Sequence, residues 1–268
     1  MGTTKAKDSA RPVRARNAPQ RPAAGDVRVS DEEAFVLHSY PYKETSLIVE
    51  TFTRNRGRVA LIARGAKRPR SALRGVLLAF QPLELNYLRS RTKGSELAML
   101  TRAEWVGGLP PLRGEGLLCG FYLNELLIKM TAREDPHESL FDAYHEALGA
   151  LAIHRSAAPI LRNFEYTLLR EIGYALQLSH CDDTGASIQL DVLYRYVPEH
   201  GPVPLLGPQH SDEGPVVLGK TLLDIEAGDY SDPATLSQSK LLTRQLLNHH
   251  LAGQVLHTRQ MMLELQAL

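Results

Sequence analysis

Apolar residues between Val29 and Val106 come in short runs, each the length of a single strand. Residues 34–38 form a compact apolar run, residues 46–52 are rich in β-formers, and residues 59–63 are continuously apolar, as in a strand buried on both faces. Leu83, Leu85 and Tyr87 alternate with Glu84 and Asn86, the period of a half-buried strand, and a fifth, weaker run covers residues 95–101. Turn signals at Asn55-Arg56-Gly57, Gly65, Gln81-Pro82 and Lys93-Gly94 separate the runs. Five short strands in about 80 residues predict a small closed barrel, because closure leaves no edge exposed for unwanted pairing. An OB-fold is one five-stranded solution, and an SH3-like barrel is its competitor.

The period then changes. Gly107-Gly108-Leu109-Pro110-Pro111 begins a linker that runs to about Gly116, and beyond it the apolar residues recur at helical spacing. Leu123, Leu126, Leu127 and Met130 share one face, and Leu140, Phe141, Tyr144, Leu148 and Leu151 mark a second helix. Asp135-Pro136 is the expected N-cap and first residue of that second helix, with Glu138 completing a capping box. A third helix carries Leu161, Phe164, Leu168 and Ile172 and stops near Gly173. Asp232-Pro233 repeats the cap signal ahead of a helical stretch with Leu242, Leu246, Met261, Met262 and Leu265. Residues 180–219 are rich in Pro and Gly, with one strand expected over 192–197. The fold class is therefore α+β. It comprises a disordered basic tail (1–28), a small five-stranded barrel (29–106), a linker (107–116) and a mostly helical domain (117–268) with a small irregular or β insert.

Charge adds a functional clue. The chain of 268 residues sums to a formal charge of only +1. Yet the stretch from Arg54 to Lys93 holds Arg54, Arg56, Arg58, Arg64, Lys67, Arg68, Arg70, Arg74, Arg89, Arg91 and Lys93 against one acid, Glu84. Such a concentration points to a polyanion, since each phosphate contact releases condensed counterions. Arginine suits phosphate because its planar fork donates two bonds at once. The first 28 residues add seven further cations among Pro, Ala and Asn, with too little apolar surface to offset ordering entropy.

Aromatic residues lie among these charges: Tyr40, Tyr42, Phe52, Phe80 and Tyr87. Phe52 and Phe80 are assigned to the core, and Tyr42 and Tyr87 are the candidates for stacking on bases. Metal chemistry finds little support, because the two cysteines, Cys119 and Cys181, are far apart and no Cys-x-x-Cys pair exists. Nucleophile-elbow, phosphate-loop and dinucleotide fingerprints are also missing, so no enzyme class is indicated. The longest apolar runs fall short of a membrane span, and reduced thiols fit a cytoplasmic setting.

Several of these segments, in this order and spacing, resemble the RecO family of bacterial recombination mediators. They are Ala34-Phe35-Val36-Leu37-His38 with Tyr42-Lys43-Glu44-Thr45-Ser46, Leu61-Ile62-Ala63-Arg64-Gly65-Ala66-Lys67-Arg68, and Tyr122-Leu123-Asn124-Glu125-Leu126-Leu127. Phe164-Glu165 through Ile172-Gly173-Tyr174, and His249-His250-Leu251 through Glu264-Leu265, continue the resemblance. It implies a non-enzymatic, nucleoid-associated protein with an N-terminal five-stranded OB-fold DNA-binding domain (29–106) and a helical C-terminal domain, which binds single- and double-stranded DNA, anneals complementary strands and binds RecR. It further implies contact with the acidic C-terminal tail of single-stranded DNA-binding protein and help for RecA loading, with RecA and RecF reached indirectly. Lys129, Arg133, Arg162 and Arg170 are the cations available for that tail. Many members carry a four-cysteine zinc module after the third helix. Here Cys181 stands at its first position and Thr184 at its second, with the later pair absent, which resembles the zinc-free branch. Charge and strand pattern alone leave a second reading open, an RNA-binding assembly factor built on the same barrel.

Overall fold

The computed structural model describes residues 14–16, 26–90, 96–153, 155–174, 177–181, 184–198, 200–205 and 214–266. The chain forms two compact units, one of residues 1–111 with 132–136, the other of residues 112–131 with 137–268. The expected basic tail falls mostly outside the described residues. Within it Arg14–Arg16 is a short strand, β1, paired antiparallel to β6 (Leu97–Trp105).

In the first unit five strands close a barrel: β2 (Val27–Tyr42), β3 (Ser46–Thr53), β4 (Gly57–Ala63), β5 (Leu83–Arg89) and β6 (Leu97–Trp105). They join in the cyclic order β2-β3-β4-β6-β5, with β4 and β6 parallel and every other pair antiparallel. A short helix, α1 (Leu73–Val76), lies between β4 and β5. This is the OB-fold topology, so the OB expectation holds over the SH3-like one. The core is made by inward residues including Val36, Val49, Leu61, Leu85, Tyr87 and Leu100. Phe52 and Phe80 are buried as expected.

The apolar run at 34–38 belongs to a strand of 16 residues. Its first half pairs with β5 and its second half with β3, and two register shifts, at Val29/Glu32 and Val36/His38, let it bend around the barrel. Asp31 adopts positive φ at the first shift and donates its backbone N–H to Asn86 Oδ1 at 2.8 Å. The charged residues 31–33 hide this half from a hydrophobicity pattern, because strand pairing here is by backbone bonds and not by apolar alternation.

The second unit holds α2 (Gly114–Met130), α3 (Glu138–Ala152), α4 (Ala157–Glu171), α5 (Gly219–Ala227), α6 (Pro233–His250) and α7 (His257–Gln266). A sheet of β8 (Gly201–Pro204), β7 (Leu193–Val197) and β9 (Val216–Leu218), in that spatial order, forms the insert. Glu165 on α4, fully buried, accepts from Tyr122 Oη of α2 at 2.8 Å and Thr243 Oγ1 of α6 at 2.6 Å, and pairs with Arg162. One carboxylate thus ties three helices.

Two capping expectations part ways. Asp232 caps α6 as predicted, accepting from the Ala234 N–H at 2.9 Å with Pro233 in the first turn. Asp135 does not cap α3, which starts at Glu138 with His137 at the N-cap position. Residues 132–136 instead belong to the barrel unit: the Glu134 N–H donates to the Arg58 carbonyl at 3.0 Å. The Asp135 backbone lies so close that a Cβ on Gly57 would stand 1.9 Å from its carbonyl oxygen. A local cap signal loses here to a tertiary contact.

Candidate nucleic-acid interface

The segment after β4 builds a rigid display of charge. Gly65 takes positive φ, and three short backbone bonds follow: Arg68 N–H to Gly65 O, Ser71 N–H to Arg68 O and Arg74 N–H to Ser71 O, at 3.0–3.2 Å. Ala66, Leu73 and Val76 anchor the segment in the barrel core. The side chains between these anchors have nowhere to go but outward. Arg64, Lys67, Arg68, Arg70 and Arg74 are all exposed, and residues 64–74 contain no acid. None of the five makes an ion pair with a described residue. A fixed backbone carrying five uncompensated cations lowers its own electrostatic energy by meeting a polyanion.

The other predicted cations are placed differently. Arg54 Nε bonds Glu33 Oε2 at 2.7 Å, and Arg56 lies 3.9 Å from Glu32. Arg58 lies 3.9 Å from Glu50, and its burial pushes the guanidinium below its ordinary value against the pull of that carboxylate. The β3–β4 turn and the start of β4 therefore form a compensated surface, whose three arginines already face carboxylates. The carboxylates come from β2 and β3 and are invisible to a count along residues 54–93. Glu84, the acid within that stretch, lies 3.6 Å from Arg102 instead. Arg89 pairs with Glu134. Arg91 and Lys93 lie outside the described residues.

The stacking candidates also separate. Tyr87 is only 1% exposed, so its ring offers no face to a base. Burial pushes its hydroxyl up to about 12, and the oxygen has no hydrogen-bond partner among the described residues. Tyr42 is half-exposed near the end of β2, with Lys43 Nζ 5.2 Å from its ring centroid. Two residues passed over by the sequence reasoning join it, His38 and Tyr40, both exposed at alternate positions of the same strand. The Lys67 N–H donates to Thr45 O at 2.9 Å, which ties the basic segment to the hairpin turn directly after Tyr42.

Comparison with known proteins bears on this barrel and its helical partner together. Residues 28–109 match the family model for the N-terminal part of recombination protein O, and residues 112–260 match that for its C-terminal part. The chain is 50% identical to the DNA repair protein RecO of Azoarcus over 239 residues, covering 89% of this chain and 97% of that one. It is 55% identical to the DNA repair protein RecO of Ralstonia nicotianae over 246 residues, covering 92% of this chain and 88% of that one. The chain belongs to the RecO family. The resemblance drawn from ordered segments is thereby shown over both units.

The four-cysteine module of many RecO proteins does not fit here. Thr184 Oγ1 accepts from the Ala186 N–H at 3.3 Å, and backbone bonds Cys181 N–H to Ala186 O and Ile188 N–H to Ser179 O, both 2.9 Å, hold the turn. One buried thiol beside a hydroxyl is not a tetrahedral zinc donor set. The four cations proposed for an acidic tail have different surroundings. Arg133 belongs to the barrel unit, where it pairs with Glu50 and, at 2.9 Å, with Glu96. Arg162 is buried against Glu165, on the inner side of α4, and is removed from the candidates. Lys129 Nζ bonds Glu125 at 2.8 Å and the Val255 carbonyl. Arg170 is the most exposed of the four, with its guanidinium 3.7 Å from Glu171 and 5.8 Å from the Tyr166 ring centroid. No described helix is long and apolar enough to cross a membrane.

Proposed function

We propose that this RecO-family chain is a DNA repair and recombination mediator that binds single- and double-stranded DNA and anneals complementary strands. The observation that carries this reading is the exposed, acid-free segment Arg64–Arg74 on an OB-fold barrel. Pairing two strands brings two rows of phosphates together, and five fixed cations would lower that repulsion while base pairing supplies the specificity. No bond is made or broken, so the role asks for no catalytic group. Acting with RecR, on strands coated by single-stranded DNA-binding protein, it would open those strands to RecA, with RecF reached indirectly. Arg170 is the most exposed cation of the set considered for that protein's acidic tail. A cytoplasmic, nucleoid-associated setting follows from this substrate.

The test is annealing of complementary oligonucleotides, bare or coated with single-stranded DNA-binding protein, with or without that protein's acidic tail. Faster annealing of bare strands, and of coated strands only when the tail is present, is the expected result. Failure to speed annealing of bare strands would refute the mediator role. A strong preference for structured RNA over single-stranded DNA at equal salt would favour the RNA-binding reading instead.

A further inference from the structure

We propose that the outer face at the end of β2 is a stacking platform for unpaired bases, with Tyr40 and Tyr42 taking consecutive bases of one strand. The inference rests on the nucleic-acid reading of the basic segment and assigns a second, strand-selective subsite beside it. Tyr40 is 44% exposed although it lies in a paired strand, opposite Ile48 of β3. Its ring meets His38 edge-on, with centroids 4.4 Å apart at 62°, which fixes the ring without covering both faces. Tyr42, two residues on, points to the same side of the sheet and has Lys43 Nζ 5.2 Å from its ring centroid. That ammonium can stay over the ring or pass to a phosphate, while a base takes the ring's other face.

Spacing decides which form of DNA fits. Alternate residues of a strand are roughly 7 Å apart, whereas neighbouring base pairs of a duplex are about 3.4 Å apart. Bases on Tyr40 and Tyr42 must therefore be pulled out of their own stack, which a single strand allows and a duplex does not. The hydrogen bond from Lys67 N–H to Thr45 O holds the basic segment beside the turn at the end of this platform. Phosphates leaving the platform meet cations there. The basic segment attracts either form of DNA, and the platform prefers the unpaired one.

The experiment measures anisotropy of a labelled oligo-dT and of a labelled blunt duplex of equal length, at one salt concentration, with the full chain. Tyr40→Ala and Tyr42→Ala are each expected to weaken oligo-dT binding by roughly 5- to 150-fold and to leave duplex binding within about two-fold. Tyr40→Phe and Tyr42→Phe should bind as the parent does, because the ring face and not the hydroxyl makes the contact. Unchanged oligo-dT binding in the alanine variants, an equal loss on the duplex, or phenylalanine variants as weak as alanine would each overturn the platform. Replacing Arg64, Lys67, Arg68 and Arg70 by alanine runs alongside. Loss on both probes supports the basic segment, and no loss on either would sink that underlying reading separately. Intrinsic fluorescence of Trp105, the single tryptophan, confirms that the barrel of each variant is folded.

Discussion

The contrast between the free and the compensated arginines yields a quantitative expectation for salt dependence. Residues 64–74 present five cations with no carboxylate partner among the described residues, whereas Arg54 and Arg56 already face Glu33 and Glu32. If each free cation neutralises one phosphate of a duplex, the segment contributes about −4.5 to the slope of log affinity against log salt. Between about 50 and 200 mM salt that alone is a roughly 500-fold loss of affinity. Replacing Arg64, Lys67, Arg68 and Arg70 by alanine leaves one contact, a slope of about −0.9 and a loss of only about 3.5-fold over the same range. The slope should therefore flatten by about 3.6 in this variant. Replacing Arg54 and Arg56 removes cations that had released their counterions to carboxylates already, so the slope should stay where it was. Anisotropy of a labelled duplex titrated across that salt range reads both. A turn variant that flattens the slope as much as the segment variant would refute the distinction between free and compensated charge.

Two further outcomes concern the helical unit. Glu165→Ala leaves the Arg162 guanidinium buried and unpaired and strips Tyr122 and Thr243 of their acceptor, a loss of about 3–5 kcal/mol. Far-UV circular dichroism in a urea titration follows the helices while Trp105 fluorescence follows the barrel; an Arg162→Met, Glu165→Leu double variant as unstable as Glu165→Ala would rule out the orphaned charge as the cause. Glu125 caps the start of α7, accepting from the His257 and Thr258 N–H groups at 2.9 Å each. Burial pushes its carboxyl up, but Lys129, the Thr258 hydroxyl and these N–H groups outweigh it and hold the pKa at about 2. Its folded value lies below its unfolded one, so its stabilisation is complete above roughly pH 5 and fades as pH falls toward the folded value. Glu125→Gln should lower the hydrogen-exchange protection of α7 at neutral pH and flatten its acid dependence; equal acid sensitivity in the variant would show that another group is responsible.

Much of the barrel was legible because its central strands are short, apolar and bounded by turn residues. Runs at 46–52, 59–63 and 83–87 each became a strand, since a buried face imposes its own period on the chain. The aromatic face of β2 was not legible for a specific reason. The expected strand ended at His38, so His38, Tyr40 and Tyr42 never appeared as alternate positions of one element. Polar residues before Ala34 and a proline at position 41 concealed a strand whose extent is fixed by its two neighbours. The capping box at Asp135 failed likewise, because residues 132–136 are held by Arg58 and Gly57 of the barrel unit.

Composition and order along the chain determined the kind of protein this is: a barrel, a helical unit, and a local excess of arginine and lysine that asks for a polyanion. Those are properties of neighbouring residues, and short-range spacing carries them. Tertiary structure alone decided which of those charges remain available. Glu32 and Glu33 sit on β2 and Glu50 on β3, neighbouring strands that bring them beside Arg54, Arg56 and Arg58, and Coulomb energy depends on distance in space rather than along the chain. The same closure buried Tyr87 and turned Tyr40 outward.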